Sequence, residues 1–291
     1  MNIISKTQAR PAMDGDGVNI KRVADFGQQR FDPYLMLDEI KSDDKQDFIG
    51  GFPPHPHRGI ETFTYIMKGG FEHRDHMGNV KAIRAGDVQW MSTGSGVIHS
   101  EMPLADANEG LHGFQIWINM PAKDKMRPAI YRDTTMIPNP SLVHANGASL
   151  TALAGTWQFA DMRDSSITNT SIEGLAGNAA IADLTLPANN QVDLALNHFE
   201  AVNVYLYQGT LFANVDGETK SFSAGTMLCI NPQMLATFQA GVTGLGCLIL
   251  AGTPIKEQIV HMGPFVMNTQ AEINQAVEDY QQGRFGALSL S

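Results

Sequence analysis

The sequence predicts an all-β protein built from two similar halves. Short segments rich in β-branched and aromatic residues, such as 113–119, are separated by glycine-containing turns. Short strands with turns at regular spacing are typical of a β-sandwich or a β-barrel. The strand predicted over 62–69 ends at a glycine, and so does the one over 202–209. The Ala-Gly turn at 84–87 likewise has a counterpart at 223–226. A supersecondary unit that returns at an offset of about 140 residues indicates duplicated domains.

Three strands can be read in the first half. The segment 62–67 ends before Gly69, and 88–91 follows a turn around Gly86. The alternating segment 113–119 stops two residues before a proline, which is a residue that central strands exclude. These boundaries predict several short strands in the half of the chain that also carries most of its histidines.

A proline-containing stretch separates the halves. Residues 128–146 include Pro138 and Pro140, so we interpret them as a connecting segment without regular structure. We therefore predict an N-terminal domain over residues 1–130 and a C-terminal domain over 131–291.

A few short helices complete the predicted fold, and the clearest lies near the end of the chain. Thr269 and Glu272 have the spacing of a capping box, and Gly283 stops the pattern. Apolar side chains share one face between them: Ile273, Ala276, Val277 and Tyr280. We assign this helix to the C-terminal domain, packed on its own barrel or reaching towards the other.

Composition excludes several classes of function. The net charge of −10 over 291 residues repels a phosphate backbone, so direct nucleic-acid binding is not expected. No apolar run of about 18 residues is present, which argues against a membrane span. Cys229 and Cys247 lie in apolar segments and form no disulfide framework, which favours a reducing, cytoplasmic compartment.

The first dense polar segment contains His55, His57 and Glu61. Side chains at positions i and i+2 of an extended chain point to the same face. Pro56 favours an extended backbone at the residue before it. His55 and His57 therefore project together, and Glu61 shares their parity, although Gly59 interrupts the strand between them.

A second pair, His99 and Glu101, repeats the i, i+2 spacing. Two strands that each turn two such side chains towards one interior would place four ligands around a point. Imidazole and carboxylate together suit Fe, Mn, Ni, Cu or Zn. The sequence therefore predicts one metal ion in the N-terminal half.

Several motifs carry a resemblance to a known family. They are the segments 55–62, 85–91, 94–101, 115–122 and 263–269. Together they resemble the pirin family of the cupin superfamily over residues 31 to 286. The resemblance implies two tandem cupin barrels (the double-stranded β-helix, or jelly roll), with the metal in the N-terminal barrel.

The resemblance also implies the ligands. Those of pirins fall on His55, His57, His99 and Glu101, whereas other cupins take the carboxylate from the first motif, which here is Glu61. The close match around His99 favours Glu101, and Glu61 stays the alternative. In the second half the corresponding positions carry no ligand, so the C-terminal barrel is expected to be metal-free; they are Ala195, Asn197, Ala201, Phe238 and Ala240.

Two functions are consistent with this ligand set. Resemblance to quercetinase-type pirins implies a dioxygenase that opens a flavonol such as quercetin with O₂, using Fe(II) in preference to Mn, Ni, Cu or Zn. Glu101 or Glu61 would accept the proton of the substrate hydroxyl. Other pirins imply a non-enzymatic, metal-dependent redox sensor that binds a transcription factor or a metabolic enzyme.

The remaining histidines give weaker signals. His73 and His76 have a spacing that could bind metal, but they lie beside a turn. We interpret both as solvated or locally hydrogen-bonded. Among the single histidines, His112 is the one that the pirin resemblance places nearest to the metal.

Overall fold

The computed structural model describes residues 1–24, 26, 29–106, 109–162, 165–215 and 217–288, and these are mostly β-strand. The strands are β1 Ile3–Gln8, β2 Arg10–Asp14, β3 Val18–Ala24, β4 Tyr34–Ser42, β5 Phe52–His57, β6 Ile60–Lys68, β7 Gly70–Asp75, β8 Val80–Arg84, β9 Val88–Ser92, β10 Val97–Pro103, β11 Leu111–Asn119, β12 Ile130–Asp133, β13 Ser141–Val143, β14 Ser149–Trp157, β15 Ile167–Asn169, β16 Ala180–Leu186, β17 Gln191–Leu194, β18 Ala201–Val215, β19 Glu218–Ser223, β20 Thr226–Ile230, β21 Ala236–Gly252, β22 Val260–Met262 and β23 Phe265–Met267. One α-helix, α1 Gln270–Gln281, and short 3-10 turns at Gln29–Phe31, Lys45–Asp47, Ala122–Asp124 and Ala176–Asn178 complete the described chain.

The chain divides into two compact units that exchange terminal segments. The N-terminal unit comprises the described residues of Arg10–Asp25, Pro33–Pro138 and Ile255–Ser291. The C-terminal unit comprises those of Met1–Ala9, Phe26–Asp32 and Asn139–Pro254. This division differs from the predicted boundary at 130/131, because β1 belongs to the C-terminal unit and α1 to the N-terminal one.

Two large antiparallel sheets form the core of the N-terminal unit, and β22 pairs with β23 in a third, two-stranded sheet. One has seven strands in the order β12-β9-β6-β11-β4-β3-β2, and the other has four in the order β5-β10-β7-β8. Apolar side chains of both sheets share one buried cluster, in which Phe71 and Ile83 of the smaller sheet pack with Ile40, Ile66 and Leu111 of the larger one. Two sheets that bury their facing sides in this way form a jelly-roll sandwich.

The C-terminal unit repeats this arrangement strand by strand. Its main path runs β1-β20-β18-β21-β16-β14-β13, which matches the seven-stranded sheet position for position. The two long strands β18 and β21 extend beyond this path. There β18 pairs with β19 and β21 pairs with β17, and these pairings take the place of the four-stranded sheet. The predicted duplication is therefore confirmed. No sheet of the described chain closes on itself, so each predicted barrel is an open jelly roll.

The expectation of an irregular connection over 128–146 is wrong in part. Within it, β12 pairs antiparallel with β9 and so completes the edge of the seven-stranded sheet. A second short strand, β13, pairs with β14 in the C-terminal unit. Strands of three or four residues are too short to show a hydrophobic period, and the flanking prolines hide them further.

The C-terminal helix forms as its sequence predicts. The Thr269 side chain accepts the Glu272 backbone N–H, and the Glu272 carboxylate accepts the Thr269 backbone N–H, which completes a capping box. Ile273 and Ala276 are buried in a cluster with Phe285 and with β23. No helix in the described part of the chain has both the length and the apolar character needed to cross a membrane.

Candidate metal centre

Three neighbouring strands of the four-stranded sheet carry the candidate ligands. The central strand, β10, has His99 directly opposite His55 of β5 and Glu101 directly opposite His73 of β7. Because side chains alternate between the two faces of a strand, all four point to one side of the sheet. The two predicted motifs thus meet through the pairing of β10 with β5.

The turn after β5 is held by the C-terminal tail. Gly59 has φ +80°, and a Cβ there would lie 2.1 Å from the carbonyl oxygen of Val266. Arg58 exchanges backbone hydrogen bonds with the same segment, accepting at its carbonyl from the Val266 N–H. Its guanidinium donates to Asp279 Oδ2 at 2.8 Å and lies over the Phe285 ring. Arg58, which follows His57, is therefore held by backbone hydrogen bonds to the tail, by the ion pair with Asp279 and by the Phe285 ring.

Three imidazoles converge at the centre. One potential ligand atom from each of His55, His57 and His99 lies within 4.8 Å of the other two, and the Nε2 atoms of His55 and His99 are 3.0 Å apart. The Nδ1–H of His55 donates to the carbonyl of Pro53 at 2.8 Å. In a neutral ring this bond leaves the Nε2 lone pair of His55 facing His99.

Burial keeps two of these imidazoles uncharged. His57 is 2% exposed and His99 is 1% exposed. Burial, together with the neighbouring His55, lowers the pKa of both imidazoles well below the usual 6.5. Neutral imidazole is the form that binds metal.

Ring nitrogens in the cluster also lack protein partners. Nδ1 of His57, His73 and His99 is buried without a hydrogen bond to any described residue. Buried polar atoms are ordinarily paired, so protein atoms alone do not satisfy this cluster. The arrangement fits a transition-metal ion, because imidazole nitrogens about 2.1 Å from one ion and at right angles would be about 3.0 Å apart.

Glu101 is held by the facing sheet. Its side chain is 4% exposed, and Oε1 accepts from the Thr64 hydroxyl at 3.2 Å and from the Gln89 amide. Both bonds go to the same oxygen, so Oε2 remains open among the described residues. One carboxylate oxygen lies within 4.8 Å of ligand atoms of His73 and His99. Glu101 therefore belongs to a second group of potential ligands, which shares His99 with the three imidazoles.

The interpretation of His73 as a solvated or locally bonded residue is only partly right. It does bond locally, with Nε2 3.2 Å from Asp75 Oδ2, but it is 1% exposed and grouped with His99 and Glu101. Its ring stacks on Tyr131 of β12 at a centroid distance of 4.7 Å. The alternation of His73 and Asp75 in a strand next to β10 was the signal that could have identified it.

Glu61 lies elsewhere in the same interior. It is fully buried at the start of β6, where Oε1 accepts from Arg127 at 3.0 Å and Oε2 accepts from the Trp90 indole at 3.0 Å. The two groups of potential metal ligands formed by described residues do not include it. Gly59 lies in the bend between β5 and β6, and the i, i+2 parity does not carry across it.

The other histidines do not join the centre. His112 bonds through Nε2 to Glu39 at 2.9 Å, and His76 lies in the turn after β7. At the corresponding positions of the C-terminal unit, Phe238 and Ala240 are buried in its apolar core.

Comparison with known proteins identifies the family. The model of the pirin family matches residues 17–118, and that of the pirin C-terminal cupin domain matches residues 181–286. The chain belongs to the pirin family. It is 44% identical to a Vibrio cholerae pirin relative over 95% of both chains, and that relative bears the provisional name quercetin 2,3-dioxygenase.

Other relatives extend this agreement. A pirin-like protein of Solanum lycopersicum is 35% identical, over 98% of this chain and 92% of its own length. The crystal structure of quercetin 2,3-dioxygenase from Acinetobacter baumannii superposes with a TM-score of 0.83 at 27% identity, covering 98% of both chains. The cupin-type fold implied by the sequence motifs is thereby confirmed.

Proposed function

We propose that this pirin is a mononuclear-metal dioxygenase that uses O₂ to open the heterocycle of a flavonol such as quercetin. The observation that carries the proposal is the convergence of His55, His57 and His99, together with a carboxylate oxygen of Glu101 within 4.8 Å of a ligand atom of His99. Relatives of this chain that bear the name quercetin 2,3-dioxygenase support the same reaction.

In this proposal His55, His57 and His99 hold one divalent ion, which we take to be Fe(II), and Glu101 is the fourth ligand. When bound, such an ion would bring an electron-rich phenol and O₂ together. His57 and His99 start neutral because burial lowers their pKa values. Binding therefore needs little proton release from them.

Glu101 is the better placed of the two predicted carboxylates to accept the hydroxyl proton of the substrate. Thr64 and Gln89 fix its Oε1, so Oε2 is available for a proton or for the ion. Both oxygens of Glu61, in contrast, already accept from Arg127 and Trp90. A fixed carboxylate within hydrogen-bond reach of a bound hydroxyl is the geometry that general-base catalysis requires.

The open side of the centre is the edge of the four-stranded sheet. β5 is its outermost strand, and His55 on it is only half-buried, whereas His57 and His99 are buried. Pro53 and Pro54 beside it are exposed. We therefore propose that the flavonol approaches past His55.

Oxygen-uptake measurements test the proposal. Fe(II)-loaded protein is expected to consume O₂ when quercetin is added, and His57→Ala should abolish this uptake. His198→Ala is the matched control, because that histidine is exposed in a turn of the C-terminal unit. Uptake by the unaltered protein no faster than by His57→Ala would contradict the dioxygenase.

A further inference from the structure

Two side chains of β11 point into the jelly roll but are only half-buried. They are Gln115 and Trp117. Gln115 bonds to Thr64, whose hydroxyl also reaches Glu101 of the facing sheet. The Trp117 ring meets the His57 ring edge-on at a centroid distance of 5.1 Å. Because protein interiors are close-packed, inward-facing side chains keep exposed surface only where the interior opens to solvent. The proposed metal centre therefore lies beside an opening that β11 lines.

The Thr64 hydroxyl fixes the carboxamide of Gln115. It donates to Gln115 Oε1 at 2.6 Å and to Glu101 Oε1 at 3.2 Å. A hydroxyl has one proton, so the shorter of these two bonds takes the larger share of it. The Thr64 oxygen accepts in turn from the Gln89 amide at 3.2 Å. Since its oxygen is held towards Thr64, Gln115 turns its –NH₂ group away from that residue.

This –NH₂ group is available to a bound molecule. It carries two donors, and among the described residues no side chain or carbonyl accepts from it. Asp38, directly opposite Gln115 on β4, instead accepts two bonds from the Arg22 guanidinium, at 2.9 and 2.7 Å. The half-buried amide of Gln115 thus presents donors to the opening.

The two groups on either side of the Thr64 hydroxyl have complementary roles. Oε2 of Glu101 is open to accept a proton, whereas the amide of Gln115 is open to donate one. A few precisely placed polar groups of this kind fix the orientation of a small molecule in its site. A molecule in which an acidic hydroxyl adjoins a carbonyl matches the pair, with the hydroxyl towards Glu101 and the carbonyl oxygen towards Gln115. A flavonol has such a hydroxyl and carbonyl on adjacent carbons.

We propose that Gln115 is a specificity-determining residue that donates a hydrogen bond to the carbonyl oxygen next to the reacting hydroxyl. The inference rests on the proposed function, because it names the part of the substrate that the same site recognises. Trp117, two residues along the same face of β11, offers an aromatic surface to the rings of that substrate. A site that bonds a polar group discriminates against analogues that lack it, so simple phenols should gain nothing from Gln115.

Quercetin binding tests the proposal without requiring turnover. The Fe(II)-loaded full-length chain is titrated with quercetin in the absence of O₂, and the visible absorption of the flavonol reports binding. Gln115→Met keeps the length of the side chain but removes the donor, and it should weaken quercetin binding about tenfold. Catechol has hydroxyl groups but no carbonyl, so its affinity should change less than about twofold. Gln191→Met is the matched control, since that glutamine is exposed on β17 of the C-terminal unit, and it should change neither affinity.

A second variant identifies the amide atom that makes the contact. Gln115→Glu keeps an acceptor but has no amide donor, and it should weaken quercetin binding at least as much as Gln115→Met. Undiminished binding by Gln115→Glu, alongside weakened binding by Gln115→Met, would overturn the donor role, because the oxygen of Gln115 would then be the contacting atom.

Other results would also contradict the inference. Unchanged quercetin binding by Gln115→Met, an equal loss of quercetin and catechol binding, or a loss of its iron content would each overturn it. No quercetin binding by the unaltered iron-loaded chain would overturn both this inference and the proposed function. Quercetin binding that depends on Gln115 but is followed by no O₂ uptake would support the inference and remove only the dioxygenase.

Discussion

The Nε2 atoms of His55 and His99 lie 3.0 Å apart across two paired strands. His55 uses its Nδ1–H to bond the carbonyl of Pro53, so in the neutral ring its Nε2 carries a lone pair. At this distance Nε2 of His99 can donate a proton to that lone pair, or both nitrogens can bind one cation. The backbone pairing of β5 with β10 thus brings two imidazole nitrogens close enough together for one metal ion to bind both.

Metal content should depend most strongly on His99. It belongs to both groups of potential ligands, whereas His55 belongs to one. We expect about one ion per chain in purified protein, a loss of nearly all of it in His99→Ala and a smaller loss in His55→Ala. Elemental analysis measures this, with His198→Ala as the control. Unchanged content in His99→Ala would leave the metal centre without support.

Glu61 should contribute to stability and not to metal binding. Glu61→Gln keeps the shape of the side chain but removes the charge that faces Arg127. We expect unfolding in urea to show a loss of about 1–3 kcal/mol, while metal content stays as before. A variant that folds but loses its metal would instead identify Glu61 as the ligand carboxylate.

A buried lysine should stabilise the turn that follows the first histidine pair. Lys125 is 1% exposed, and its ammonium donates to the carbonyls of Gly59 and Val266 and to Asn119 Oδ1. Burial lowers its pKa to about 8, so it is still charged at neutral pH.

Lys125→Met would leave three buried oxygens unpaired and should cost about 2–4 kcal/mol in urea unfolding. Lys123→Met, two residues away and exposed, is the matched control. Equal stability of the two variants would contradict this role.

The ion pair between Arg58 and Asp279 should give a defined pH dependence. Burial alone would raise the pKa of Asp279, but hydrogen bonds from Gln275, Arg58 and Arg284 lower it from 3.8 to about 2. A carboxyl whose pKa is lower in the folded state stabilises the fold above pH 3.8, and this contribution is lost as the pH falls towards 2.

Unfolding curves of the unaltered chain and of Asp279→Asn should therefore differ by about 1 kcal/mol at pH 6, allowing for solvent screening. The difference should shrink between pH 4 and pH 2. A difference that is independent of pH would show that the charge of Asp279 is not what stabilises the tail.

Gly96, three residues before His99, should tolerate no side chain. It has φ +149°, and a Cβ there would lie 2.8 Å from the Phe285 ring. Gly96→Ala is expected to displace the tail and speed its cleavage by protease, whereas Gly78→Ala, where a Cβ meets nothing within 4 Å, controls for the left-handed backbone. Equal cleavage rates in the two variants would argue against the contact.

The sequence predicted the features that follow from local residue spacing. It missed those that depend on pairing between strands distant in the chain. The i, i+2 spacing proposed His55, His57, His99 and Glu101 as ligands, with Glu61 as the alternative carboxylate, because parity is a property of one strand. His73 becomes visible only once β7 is known to pair with β10. Its stacking partner, Tyr131, fell on the far side of the predicted domain boundary, since β12 is too short to show a period.

The exchange of terminal segments has a consequence for biosynthesis. The segment that packs behind the turn after β5, residues 255–288, follows the C-terminal unit in the chain, whereas the histidines it supports precede that unit. The second jelly roll, in turn, takes its edge strand β1 from residues that precede the N-terminal unit. Neither unit can therefore fold completely until residues on both sides of the other have been synthesised, so the proposed metal centre can be enclosed only after the C-terminal unit has left the ribosome.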